Sequence, residues 1–302
     1  MRLRYPDTRV MVESSIASEI DAIIARALEE YQAVKGIGDN PLDPPAPREP
    51  EPEPEVIEIP ANSQSVLVSE ETSRFSSAIW FDNIQSQSVT IAGLGGIGSY
   101  VAFLIGRFHP RTLFLYDPDT IEVGNMSGQL YSAEQVGLNK AAASANTIYS
   151  YANNFDVFTA GAFDENSVPT RIFLCGFDTM VARRTAYSRW KSFVTAAPEE
   201  DKKNWLFIDG RLAAESFQVL CIKGDETISM ERYEREFLFT DAQAEETVCS
   251  YKQTSFMANM IASVMVNLFV NFCANQCDPL IPRDLPFYTE YTAETMFFKV
   301  VQ

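Results

Sequence analysis

The residues best suited to chemistry fall between positions 88 and 178. The run SVTIA enters a glycine loop, GLGGIG, with glycines at Gly93, Gly95, Gly96 and Gly98, and an apolar helical pattern over residues 100–107 follows. Strand, tight glycine turn and helix form the layout that aims helix N-terminal amides at a phosphate. A second apolar run, TLFLY, ends at Asp117, 24 residues beyond Gly93, where a Rossmann-like unit keeps a carboxylate for ribose hydroxyls. Asp119, Asn125 and Lys140 come next. The run TRIFLC then ends in Gly176, Phe177 and Asp178, which puts a carboxylate at the C-terminal end of a strand, where open α/β sheets bind their ligands. Taken alone, the glycine loop with Asp117 is equally the fingerprint of a nicotinamide dinucleotide domain.

The surrounding pattern supplies elements to hold these residues. Apolar runs over 157–162, 205–208 and 217–222 read as further strands, the second ending at Asp209, Gly210 and Arg211; residues 141–151 and 187–195 read as helices. Ser132 is a candidate N-cap and Gly137 a turn residue. Residues 223–247 are polar, acidic and too irregular for an assignment. The nearly apolar stretch 254–272 is about one membrane thickness long, but Asn259, Asn267 and Asn271 interrupt it, so a buried core helix is expected. Residues 285–301 alternate as a closing hairpin would. The expected fold is α/β: a Rossmann-like, doubly wound, mostly parallel sheet with antiparallel strands at the C-terminal end. Residues 1–35 hold a helix at 13–34 with Ile16, Ile20, Ile23, Ala27 and Tyr31 along one stripe, and 36–69 form an acidic proline-rich linker. The compact domain is expected over 70–302.

Composition bounds the function. The 302 residues carry a formal charge of −17, which repels nucleic acid and anionic membranes alike. The five cysteines are odd in number and scattered, so the chain reads as a soluble cytoplasmic protein with reduced thiols. The single histidine, His109, precedes Pro110 in a turn and is read as a surface residue. Cys273 and Cys277, four apart without a second pair, do not make a metal site.

Taken in order, these segments resemble the ThiF/MoeB family of ubiquitin-activating-like adenylyltransferases. The family follows its glycine loop with an acid-x-acid strand end, an Asn-Leu-x-Arg-Gln segment, a Gly-x-x-Lys and a strand ending in Thr-Asp-Asn. Here these read DPD at 117–119, NMSGQ at 125–129, GLNK at 137–140 and GFDT at 176–179. SRFSSAIW at 73–80 is similar to the family's opening Arg-Tyr-x-Arg-Gln helix. The segment after Cys249 is similar to its cysteine-preceded apolar helix.

The resemblance implies that Gly93, Gly95, Gly96 and Gly98 admit ATP and that Asp117, with Asp119 beside it, holds the ribose. It further implies that Asn125 and Lys140 contact the phosphates and that Asp178 binds Mg²⁺. The implied reaction is attack by the C-terminal carboxylate of a small ubiquitin-like protein or peptide on the α-phosphate, in a homodimer. Two family arginines are missing, replaced by Gly128 and Ser77. Arg211 is the expected substitute, ahead of Arg183 or Arg184, and a weakened nucleotide-binding scaffold is the alternative to an active enzyme. Cys249 is either an acyl-accepting thiolate or a structural thiol.

Overall fold

The computed structural model describes residues 70–154, 156–239 and 253–302. The expected helix at 13–34, the proline-rich linker and Cys249 lie outside the described residues.

The described residues build one eight-stranded sheet in the order β3-β2-β1-β4-β5-β6-β7-β8. Its strands are β1 (Ser88–Ala92), β2 (Thr112–Tyr116), β3 (Val157–Ala160), β4 (Ile172–Cys175), β5 (Leu206–Ala213), β6 (Ser216–Lys223), β7 (Tyr288–Thr292) and β8 (Phe297–Val301). The pairs linking β3 through β5 are parallel and those from β5 to β8 antiparallel. The helices are α1 (Phe81–Ser86), α2 (Gly96–Gly106), α3 (Lys140–Ala152), α4 (Met180–Ala196), α5 (Glu199–Lys202), α6 (Thr227–Glu236) and α7 (Ser255–Asn275). The strand order reverses between β1 and β4, and the crevice opens at their C-terminal ends.

The period-two alternation of strand side chains sorts the core into two layers. Val89, Ile91, Leu113, Ile172, Leu174, Leu206 and Ile208 face α2 and α7. Ala92, Phe173, Cys175 and Phe207 face α4 and α6 through Tyr187, Trp190 and Tyr233. Both faces of β1, β4 and β5 are covered, so these central parallel strands are buried over most of their length, while β3 at the edge of the sheet is largely exposed. Helix α7 is long and apolar enough to cross a membrane. Here Met257, Ile261, Met265, Phe269 and Phe272 pack it into the core, as expected of a central helix.

Four expectations need correction. Helix α2 begins at Gly96 rather than near residue 100, so the last glycine of the loop belongs to its first turn. Strand β5 runs through Asp209, Gly210 and Arg211 to Ala213, because pairing with β6 (Arg211 opposite Gln218) carries the hairpin past the end of the apolar run. Residues 227–236 are helical: Met230 and Tyr233, three apart, are buried beneath a surface of charges that hides the pattern. The imidazole of His109 is only 10% exposed and lies 3.3 Å from Glu71, with its pKa lowered chiefly by burial.

Candidate functional site

The glycine loop is built by close backbone approach. Gly93 adopts φ +82°, and a Cβ there would lie 2.7 Å from Gly176 C and Phe177 N. A Cβ on Gly176 would in turn lie 2.7 Å from Gly93 O. The exits of β1 and β4 therefore touch main chain to main chain, which places Asp178, two residues past Gly176, beside the loop. Asp178 is exposed and precedes Thr179, the N-cap of α4.

Asp117 is 5% exposed and ties the loop to the end of β2. Leu94 N–H donates to its Oδ2 at 2.6 Å and Asp119 N–H to its Oδ1 at 2.9 Å. Burial raises its pKa, opposed by these two amide bonds and by Lys140. The segment after Asp117 is zipped to the start of α3. Lys140 N–H donates to Asp119 O at 2.9 Å, and the Asn139 side chain donates to the carbonyls of Asp117 (2.9 Å) and Asp119 (3.1 Å) while capping α3. Lys140 Nζ meets Asp119 Oδ2 at 2.9 Å, its own side chain buried and the Asp119 side chain 64% exposed. Tyr131 closes the underside, its hydroxyl donating to Leu94 O at 2.7 Å.

Asn125 sits in a 3₁₀ turn, Val123–Ser127, where its Oδ1 accepts from Glu122 N–H at 2.8 Å. The next segment folds back on the loop, Leu130 N–H donating to Ser99 Oγ at 3.0 Å. Gln129 reaches the loop too: a Cβ on Gly95 would find only Gln129 Nε2, 3.9 Å away, and Gln129 Oε1 is buried without a partner.

Arg211 departs from expectation. On β5 it shares the α6 face with Asp209, whose carboxylate is fully buried. Arg211 Nε donates to Asp209 Oδ2 at 2.9 Å and its terminal amine to Phe237 O at 2.8 Å. The guanidinium lies 5.7–5.9 Å from the ring centres of Tyr233, Phe237 and Phe239. Arg183 completes the network, bonding Asp209, Gly210 O and Phe177 O, and Tyr233 donates to Asp209 Oδ2 at 3.0 Å. Arg184 is held on Leu238 O at 2.7 Å. Strand alternation explains the outcome: Arg211 is inside a strand and pairs with the nearest buried carboxylate rather than with the glycine loop.

The structure thus brings together the glycine loop, Asp117, Asp119 and Lys140, with Asp178 on the adjoining strand exit. Asn125 is held within its own 3₁₀ turn, its Oδ1 bonded to Glu122 N–H. Sequence reasoning missed Tyr131, Gln129 and the Asp209 network. Asn139 was detectable as an N-cap immediately before Lys140.

The arrangement fits a nucleoside triphosphate. No side chain caps α2, and its first turn holds no acid, so its amides are presented to an anion. Among the described residues no group of three or more His, Cys, Asp or Glu could hold a metal. Asp178, exposed at the β4 exit beside the glycine loop, is a carboxylate that could hold a Mg²⁺ together with phosphate oxygens.

Solved structures share this architecture. PaaA aligns over 81% of this chain and 84% of its own with a TM-score of 0.58 at 16% identity. E. coli MccB with ATP aligns over 78% of this chain and 70% of its own with a TM-score of 0.56 at 16% identity. Among curated sequences, ubiquitin-like modifier-activating enzyme 5 of Caenorhabditis briggsae is 29% identical over 171 residues, 51% of this chain and 40% of the relative. Its Dictyostelium discoideum namesake is 35% identical over 91 residues, 28% of this chain and 24% of the relative. The chain thus spans less than half the length of these relatives. The ThiF family matches residues 73–301, and the chain belongs to that family.

Proposed function

We propose that the chain is an ATP-dependent adenylyltransferase acting on the C-terminal carboxylate of a small ubiquitin-like protein or peptide. The observation that carries this reading is the convergence of the uncapped α2 N-terminus, Asp117, Asp119 and Lys140, with Asp178 joined through the Gly93–Gly176 contact. The relatives named ubiquitin-like modifier-activating enzyme 5 and the MccB structures with ATP and with N-formylated MccA support the same class.

In the proposed reaction, a carboxylate oxygen of the partner attacks the α-phosphorus. The bond to the bridging oxygen breaks, leaving an acyl adenylate and pyrophosphate. Negative charge accumulates on the phosphoryl oxygens, and the chain answers it with α2 amides and the Lys140 ammonium. Asp119 orients that lysine through their 2.9 Å ion pair, while Asp117 fixes the loop from below and is the carboxylate assigned to the ribose hydroxyls. Mg²⁺ on Asp178 would supply further charge neutralisation at the phosphates. Cys249, outside the described residues, is proposed to attack the acyl carbon of the adenylate as a thiolate, forming a thioester as the bond to the phosphate oxygen breaks and AMP leaves.

Pyrophosphate exchange into ATP, measured with candidate partners ending in a free carboxylate, tests the reading. Exchange that falls by a factor of at least about 10² in Asp178→Ala supports it. A folded, ATP-binding chain that never exchanges with any partner favours a second reading, a nucleotide-binding scaffold, for which Gly128 and Ser77 at the family arginine positions are the specific observation.

A further inference from the structure

The space at Gly128 is not empty. A Cβ added there would lie 2.9 Å from Gln253 Cγ, 3.1 Å from its Cδ and 3.1 Å from its Nε2. The same carboxamide lies against the glycine loop: a Cβ on Gly96 would be 2.8 Å from Gln253 Cδ and 3.3 Å from its Nε2, and would collide with its Oε1. The end of the Gln253 side chain is therefore clasped between the first residue of α2 and the buried Gly128, a position that only two glycines leave open. It approaches from a different part of the chain. Gln253 forms a bridge with Ala214, in the turn between β5 and β6, and is followed by Thr254, the N-cap position of α7. Hairpin and core helix both fix its backbone.

We infer that Gln253 is a further phosphate-facing polar residue of this site, presenting its carboxamide over the α2 N-terminus where a side chain from position 128 cannot. The inference rests on the ATP reading above and adds a residue to it. The Nε2 group offers two N–H donors to phosphate oxygens without adding positive charge. Such bonds to an ionised acceptor are stronger than bonds between neutral groups. Beside it, Gln129 carries a buried oxygen without a partner, so the patch above Gly95 and Gly96 is lined by two carboxamides in place of a guanidinium.

Binding of Mg·ATP and of adenosine to the full chain, measured by calorimetry, separates the outcomes. Gln253→Ala is expected to weaken Mg·ATP about tenfold and to leave adenosine unchanged. Gln253→Glu keeps the volume, loses the donors and adds a negative charge, so it is expected to weaken Mg·ATP further, again with adenosine unaffected. Gly128→Ala displaces the carboxamide and should reproduce the Gln253→Ala loss. Combined with Gln253→Ala it should add little, since the two changes act on one contact. Equal losses for Mg·ATP and adenosine, unchanged Mg·ATP binding, or tighter binding in Gln253→Ala would each overturn the role of Gln253 while leaving the ATP reading intact. If the unaltered chain binds neither ligand, the ATP reading falls and the inference falls with it.

Discussion

At the scale of single residues the site depends on atoms that are missing as much as on those present. Gly93 combines φ +82° with main-chain contact to Gly176 and Phe177, so any side chain there is strained twice, by its own backbone and by its neighbour. Gly93→Ala is expected to cost about 1–3 kcal/mol in urea unfolding. It should also weaken Mg·ATP binding, because the β4 exit carrying Asp178 must move away. The places of Asp117, Asp119, Lys140 and Asp178 in the fold were legible from spacing because each lies just past the end of a strand or at the start of a helix. Gln253 was not legible. Its contact with Gly96 and Gly128 joins residues far apart in the chain, and no periodicity records such a meeting. Arg211 misled for a related reason: the apolar run stops at Ile208, but the hydrogen-bonded strand does not.

At the scale of elements, the Asp209 network joins the exit of β4 and strand β5 to helices α4 and α6. Arg183 on α4 reaches Phe177 O at the β4 exit and Gly210 O on β5, Arg211 and Tyr233 share Asp209, and Arg211 extends to Phe237 at the end of α6. Removing the carboxylate leaves two buried guanidiniums without their anion. Asp209→Asn is therefore expected to destabilise the domain by about 3–5 kcal/mol in denaturant unfolding, and Asp178 should lose its fixed position in the fraction that stays folded. Most elements could be read from the sequence because a doubly covered parallel sheet writes itself as apolar β-branched runs. Helix α6 could not, since Met230 and Tyr233 are its only buried residues among charges that form pairs along its surface.

At the scale of the whole molecule, burial divides the thiols. Cys175, Cys221 and Cys273 are buried, and burial pushes all three pKa values up, that of Cys221 to about 12. At pH 8 these remain protonated and shielded, so iodoacetamide followed by peptide mass spectrometry should leave them unmodified in the native chain. If Cys249 is the acyl acceptor, it should alkylate readily and keep reacting down to about pH 7, below the range of an ordinary thiol. Labelling that fades near pH 8.5 would mark it as an unactivated cysteine. The clasp of Gln253 between Gly96 and Gly128 has a further consequence when it is viewed as inheritance. Two positions on different segments occupy one volume, so neither drifts alone. Lineages of this fold that carry a bulky residue at the place of Gly128 are expected to carry a short one at the place of Gln253, and a chain midway between the two states holds either two side chains in one volume or, with both short, only the Gln129 carboxamide over its glycine loop.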